Sequence, residues 1–211
     1  EEPYIERNIE FTRKGFGLKD IAEKLYPVDP TLTSEMVRAN LQTIDNIRLW
    51  DHNPLLNVYR QIQLIRPYYD FKDADVDRYV IDDRSRQVML AAREVAPGKL
   101  DPDAQTWVNT KLRYTHGFGV AMSPVTEFTT EGRPEFFAKD IPQDGVIEIK
   151  SLSGDTEPEL RVENPRIYYG EETVDYVIVA SKTQELDYQA AGEELRSNTY
   201  SGTGGVRINN L

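Results

Sequence analysis

The spacing of apolar residues predicts that the chain begins with helices. The first covers residues 3–14, where Pro3 falls in the first turn and Ile5, Ile9 and Phe16 lie along one face. A short second helix is expected near Ser34, because serine followed by glutamate favours a helix start.

Two further helices carry broader apolar stripes. One is predicted to start at Asn53 as the N-cap and to end before Pro67, and the other is predicted to start at Asp103. The positions expected to face the core are Leu55, Tyr59, Ile62 and Ile65 in the former and Ala104, Trp107, Val108 and Leu112 in the latter.

Strands follow the helices. Residues 75–81 and 87–95 are rich in β-forming residues and flank the polar residues 82–85, which predicts a hairpin with a four-residue turn. Shorter strands are expected at residues 119–122, 146–150, 160–162, 166–169 and 174–180. The pattern predicts an α+β fold, with helices packed on a mostly antiparallel sheet and a strand-rich C-terminal half, in a single domain over residues 1–211.

Composition narrows the range of functions. The net charge of -11 opposes nucleic-acid binding, because affinity for duplexes comes largely from cationic side chains that neutralise phosphates. The chain has no cysteine, which excludes disulfides, thiolate metal sites and cysteine nucleophiles. Residues 202–205 are glycine-rich but lack the following Lys-Ser/Thr of a phosphate-binding loop, and no cofactor is expected.

His116 is the strongest candidate for catalysis. It lies between Tyr114 and two glycines, and an imidazole can act as a general base near neutral pH. No serine, cysteine or second histidine stands beside it in the sequence to complete a nucleophilic set. We therefore expect a structural role, with His116 buried and hydrogen-bonded to an oxygen atom, and we keep catalysis as the alternative.

Two other groups of residues suggest ligands. Asp73, Asp75 and Asp77 alternate like the opening of a calcium loop, but the glycine and glutamate of such a loop are replaced by Arg78 and Arg84. A solvated strand face is the simpler interpretation, so no metal site is predicted. The tyrosine pairs could stack on a sugar or could simply occupy ordinary sheet positions; they are Tyr68, Tyr69, Tyr168 and Tyr169.

Several longer motifs resemble one known family. They are residues 43–51 (TIDNIRLWD), 59–71 (YRQIQLIRPYYDF) and 86–94 (RQVMLAARE), supported by residues 106–109, 114–120, 134–137, 139–142, 166–171 and 204–206. Together they resemble the UPF0182 family of bacterial membrane proteins. Arg48 and Trp50, which lie within the first motif, are candidate binding residues.

The resemblance implies a location without implying a reaction. Members of that family have several N-terminal transmembrane helices followed by a large extracytoplasmic domain of uncharacterised function. The chain would then be part of that domain, and its partners would be the transmembrane helices and the rest of the domain, with a homo-oligomer as a further option. We expect a binding or assembly domain at the cell membrane, and the alternative is an envelope-directed hydrolase that uses His116 as its base.

Overall fold

The computed structural model describes residues 1–22, 24–27, 31–81, 84–143, 149–150, 162, 164–189 and 192–208. They belong to two compact units, residues 1–39 and residues 40–211. The first contains α1 (Glu2–Gly15) and α2 (Ser34–Ala39). The second contains α3 (Leu41–Ile44), α4 (His52–Ile62), β1 (Tyr69–Phe71), β2 (Asp75–Ile81), β3 (Arg84–Val95), β4 (Gly117–Phe118), β5 (Val120–Pro124), β6 (Ile149–Lys150), β7 (Arg166–Ile167), β8 (Glu185–Leu186) and β9 (Ser197–Asn198).

The first unit confirms the predicted helix but leaves its apolar face uncovered. Helix α1 has proline in its first turn and basic residues in its last turn, both of which favour helix formation. None of its residues is buried, and Ile5 and Ile9 are 58% and 50% exposed. Within the described residues, the apolar stripe of α1 is therefore exposed.

Strand β3 is the centre of the main sheet. Both β1 and β2 pair with it antiparallel, and β5 pairs with it from Val88 opposite Pro124 to Ala92 opposite Val120. The predicted hairpin of β2 and β3 is confirmed, although Arg84 and Ser85 belong to the strand rather than to the turn. All the described strand pairs are antiparallel, so the predicted α+β class is correct.

Helix α4 packs on this sheet through three buried residues, Leu55, Leu56 and Tyr59, which join Phe71 and Met89 in the main core cluster. The helix starts earlier than predicted, because the carboxylate of Asp51 accepts a hydrogen bond from the backbone N–H of His52 and makes Asp51 the N-cap. It ends at Ile62, so the predicted core positions Ile62 and Ile65 lie at 41% and 40% exposure.

The third predicted helix forms only from residue 107 onward, and mostly as a π-helix rather than an α-helix. Residues Pro102–Ala104 form a single 3₁₀ turn and Asn109–Arg113 form a π-helix, in which Tyr114 N–H donates to the carbonyl of Asn109. Trp107 and Val108 are 54% and 45% exposed rather than buried. The Asn109 side chain donates to the Ala104 carbonyl, which closes this turn in place of regular helical bonding.

The strand predicted at residues 174–180 is absent. The backbone there bonds to other groups, with Ile178 N–H donating to the carbonyl of Lys111 and Ala180 N–H to the carboxylate of Glu185. Three of the other predicted strands form at least in part: β5 overlaps the range 119–122, β6 lies within 146–150, and β7 lies within 166–169. Residues 146–148 and 160–161 lie outside the described residues, and Val162 is not in a strand.

Arg93, which is fully buried in β3, fixes the position of β4. Its guanidinium donates to the carbonyl of Gln63 at 2.7 Å and to that of Phe118 at 2.8 Å. Burial lowers the pKa of Arg93 to about 10. Strand β4 also approaches β3 closely, since a Cβ atom on Gly117 would lie 2.2 Å from the carbonyl oxygen of Arg93. The segment just before β4 is thereby held against the sheet.

Candidate functional site

His116 precedes β4 and lies in the interior of the second unit. Its side chain has no exposed surface. Nε2 is 3.2 Å from Oδ1 of Asp187, and Nδ1 is 3.0 Å from the hydroxyl oxygen of Thr115. The prediction that His116 is buried and hydrogen-bonded to oxygen is therefore confirmed.

Two buried carboxylates from the chain around β8 complete the surroundings of His116. Glu185 and Asp187 are 1% and 3% exposed. One oxygen of Glu185 accepts the hydroxyls of Thr115 at 2.7 Å and Tyr168 at 2.8 Å, and the other accepts two backbone N–H groups. Every oxygen of this carboxylate therefore has partners, as a buried charge requires.

Arg166 in β7 forms an ion pair with Asp187. Its Nε and Nη2 atoms each lie 2.7 Å from an oxygen of Asp187, which is the two-pronged geometry typical of arginine with carboxylates. Burial tends to raise the pKa of Asp187, but the hydrogen bonds from His116 and Arg166 outweigh it and hold the pKa below its usual range. The hydrogen bond to Asp187 in turn raises the pKa of Arg166.

Thr115 links His116 to Glu185. Its hydroxyl donates to Glu185 at 2.7 Å, and the same oxygen lies 3.0 Å from Nδ1 of His116. On the other side of the ring, Nε2 contacts Asp187. We call His116, Arg166, Glu185 and Asp187 the buried charge cluster.

This arrangement suits a structural role. A general base needs a free nitrogen within reach of a substrate proton. Both nitrogens of His116 are engaged and the side chain is covered. The hydrolase alternative gains no support from this geometry.

Three of the four candidate tyrosines surround the buried charge cluster. The ring of Tyr168 lies 4.6 Å from that of His116, and burial together with the bond to Glu185 raises the pKa of Tyr168. The Tyr69 hydroxyl donates to the carbonyl of Asp187, and the ring of Tyr68 packs against that of Tyr69 in a tilted arrangement, with the ring centres 4.7 Å apart. Only Tyr169 is well exposed, at 70%. The tyrosines pack against one another and against protein groups, which is the ordinary alternative to a sugar groove.

The other candidates lie elsewhere. Trp50 packs against the main core cluster and donates from Nε1 to the carbonyl of Glu127, while Arg48 is exposed. Asp73, Asp75 and Asp77 are exposed on and before β2. Within the described residues, no group of three or more histidine, cysteine or acidic side chains could hold a metal ion.

Known sequences assign the chain to a family. A profile described as "Uncharacterised protein family (UPF0182)" matches residues 1–211. The chain belongs to this family. Proteins named UPF0182 protein from Pelotomaculum thermopropionicum and Synechococcus sp. (strain JA-3-3Ab) are 51% and 49% identical over the whole chain, and one from Clostridium acetobutylicum is 42% identical. No solved structure matches the chain significantly.

The UPF0182 relatives are much longer than this chain. It spans 22% of the Pelotomaculum protein and 24% of the Synechococcus protein. This coverage fits a chain that is one part of a larger protein. No helix in the described part of the chain combines the length and apolar character needed to cross a bilayer.

Of the buried charge cluster, the sequence pattern indicates only His116 and none of the other three residues. Glu185 and Asp187 lie about seventy positions away from His116, and Arg166 lies in a motif that carried the family resemblance without any assigned role. The alternation of Glu185, Leu186 and Asp187 was the available signal. It is typical of a strand with a polar face, and it would have predicted exposed rather than buried carboxylates.

Proposed function

We propose that this chain is an extracytoplasmic binding or assembly domain of a larger, multi-pass bacterial membrane protein. The observation that carries the proposal is the uncovered apolar face of α1. Ile5, Ile9 and Phe16 follow helical spacing and are 58%, 50% and 79% exposed. The much greater length of the UPF0182 relatives supports a partner within the same protein.

An apolar stripe on a helix is usually covered by another surface. A short helix gains most of its stability from packing its apolar face rather than from intrinsic propensity. Exposed apolar patches of this kind commonly mark contact surfaces. The partner we propose is the remainder of the parent protein, including its transmembrane helices.

Cysteine accessibility tests the proposed location, because the chain contains no cysteine of its own. Asp77→Cys places a thiol at an exposed position of β2 in the full-length parent, made free of other cysteines. We expect a membrane-impermeant maleimide to label it equally in intact and lysed cells. Labelling only after lysis would place the domain inside the cell and contradict the proposal.

The same chemistry tests assembly. Ile9→Cys lies on the apolar face of α1 and Glu10→Cys lies off it, so the two variants form a matched pair. We expect Ile9→Cys to react more slowly in the parent protein than in the isolated chain, while Glu10→Cys reacts similarly in both. Equal rates for Ile9→Cys in the two settings would refute a covered face. Protection in the concentrated isolated chain would instead indicate a second copy as the partner.

A further inference from the structure

A cavity of about 700 Å³ opens beside the first residues of β3. Its walls come from three segments of the second unit: α3 and the residue after it, the start of β3, and the chain that follows β5. The charged and apolar side chains that line it include Leu41, Ile44, Asp45, Arg84, Arg86 and Glu127. The volume falls within the range of about 300 to 1,000 Å³ typical of small-molecule sites.

Hydrogen bonds fix the walls relative to one another. Asn46, just after α3, donates from Nδ2 to the carbonyl of Ser85 at 2.9 Å and accepts the N–H of Gln87 at 2.6 Å. Leu49 N–H donates to the carbonyl of Val125 at 2.9 Å. These bonds join the α3 segment to β3 and to the chain that follows β5, so the cavity is formed before any ligand enters.

The charges in the cavity are only partly paired. Arg86 forms an ion pair with Glu127 and lies 5.9 Å from the ring of Phe137. Arg84 and Asp45 are exposed, and neither side chain has an ion-pair or hydrogen-bond partner among the described residues. One free positive charge and one free negative charge thus line the same cavity from different elements.

Among the described lining residues, the four ionised groups sum to zero charge, which disfavours binding of a simple ion. An anion attracted to Arg84 would meet the unpaired carboxylate of Asp45, and a cation attracted to Asp45 would meet Arg84. A ligand that carries both charges satisfies both groups. Leu41 and Ile44, three residues apart on α3 and 53% and 40% exposed, add an apolar wall to the same cavity.

We propose that this cavity binds a zwitterionic ligand of the amino-acid or short-peptide class with an apolar side chain. Arg84 holds the ligand carboxylate, Asp45 holds its ammonium group, and Leu41 and Ile44 contact the side chain. The site lies outside residues 1–39, so the cysteine tests of assembly have no bearing on it.

Three related probes test the proposal in solution. The dipeptide leucyl-leucine is titrated into ¹⁵N-labelled chain and followed by NMR, beside its N-acetylated form and its C-terminal amide. We expect leucyl-leucine to shift amide signals of Asp45 and Arg84. Loss of either charge should weaken binding by about fivefold, since an exposed ion pair contributes up to about that factor.

Variants assign each end of the ligand. Arg84→Gln should abolish the preference for the free carboxylate over the amide, and Asp45→Asn should abolish the preference for the free amine over the acetylated form. Both side chains are exposed and unpartnered, so the variants should fold, which their spectra verify. Arg78→Gln and Asp75→Asn remove exposed charges from β2 and should leave all three affinities unchanged.

The possible failures are distinct. No signal shift with any probe at millimolar concentration would overturn the site. Equal affinity for the three probes would overturn the assignment of a zwitterion, and so would an Arg84→Gln variant that weakens all three alike. Shifts confined to residues outside the cavity would also refute the proposal.

Discussion

The two ring nitrogens of His116 contact oxygen atoms of Asp187 and Thr115, and each of these buried oxygens uses the imidazole as a hydrogen-bond partner. Removing the imidazole leaves the Asp187 carboxylate with fewer hydrogen-bond partners and leaves Thr115 with one partner fewer. Losing a partner in the interior is costly because the remaining polar group stays desolvated. The residue therefore contributes to stability through the groups that it satisfies.

We expect His116→Ala to lower the free energy of unfolding by at least about 1 to 3 kcal/mol, the typical cost of unsatisfied buried polar groups. Urea denaturation measures the change. His52→Ala is the matched control, because the His52 side chain is 45% exposed and its loss should cost less than about 0.5 kcal/mol. Equal effects of the two substitutions would show that the buried charge cluster contributes nothing to stability.

The lowered pKa of Asp187 predicts a loss of stability in acid. Its folded-state pKa lies below the unfolded value of about 3.9, so the ionised form favours the folded state. That contribution is fully present above the unfolded pKa and is lost as pH falls through the folded pKa.

Asp187→Asn should therefore be less stable than the native chain at pH 7 and should lose less stability between neutral pH and about pH 2. Denaturation in urea at a series of pH values gives both quantities. Part of the acid dependence should remain, because Lys99 and the N–H of Phe71 outweigh burial and also lower the pKa of Asp70. An unchanged acid dependence in the variant would contradict the assigned role of Asp187.

Helices and strands whose own residues carry a clear apolar pattern could be predicted from the sequence. The β2–β3 hairpin and α4 follow from periodicity and flanking polar residues, and both form. The predictions failed where side chains compete with regular backbone bonding. Asn109 closes a turn onto Ala104, and Glu185 accepts the N–H of Ala180 from a segment with strand-like composition. These contacts are not visible in a single segment's pattern.

The close packing of β4 on β3 predicts that a side chain at Gly117 would destabilise the fold. Gly117→Ala would place a methyl group 2.2 Å from the backbone oxygen of Arg93 and 2.7 Å from the Cα atom of Glu94, neither of which can rotate away. We expect a loss of about 1 to 3 kcal/mol or more in the free energy of unfolding.

Gly98→Ala is the control for this change. No atom lies within 4 Å of the Cβ position at Gly98, and its φ is not positive. It should therefore be neutral or slightly stabilising. A Gly117→Ala chain as stable as Gly98→Ala would mean that β4 does not press against β3 in solution.

The acidic face near β2 predicts weak calcium binding. Asp73 and Asp77 each use one carboxylate oxygen to accept the N–H of the next residue, and the sequence lacks a bidentate glutamate at the loop position. Calorimetry should give a dissociation constant weaker than about 10 micromolar, outside the range of sensor sites. A tighter dissociation constant that is lost on Asp75→Asn would contradict this prediction and would show a specific calcium site at these aspartates.

For the whole molecule, the sequence identified the family and one member of the buried charge cluster, but it could not assemble the cluster. Thr115 and His116 reach Glu185 and Asp187 only because β4 pairs with β7 and the chain around β8 packs beside them. Such pairings between distant short strands depend on tertiary packing rather than on local propensity. The cavity beside Arg84 likewise joins three separated segments.

The uncovered face of α1 predicts how the isolated chain behaves. Ile5 and Ile9 are exposed, so they offer a surface to apolar dyes such as ANS, while the net charge of -11 favours solubility. The double variant Ile5→Ser, Ile9→Ser should lower ANS fluorescence and leave the free energy of unfolding within about 0.5 kcal/mol, because neither side chain is buried. The matched variant Glu6→Ser, Glu10→Ser changes polar positions of the same helix and should not reduce dye binding. A strongly destabilised isoleucine variant that still binds the dye would contradict this prediction. It would mean that α1 buries its apolar stripe within the chain, so that the stripe could not contact the rest of a larger protein.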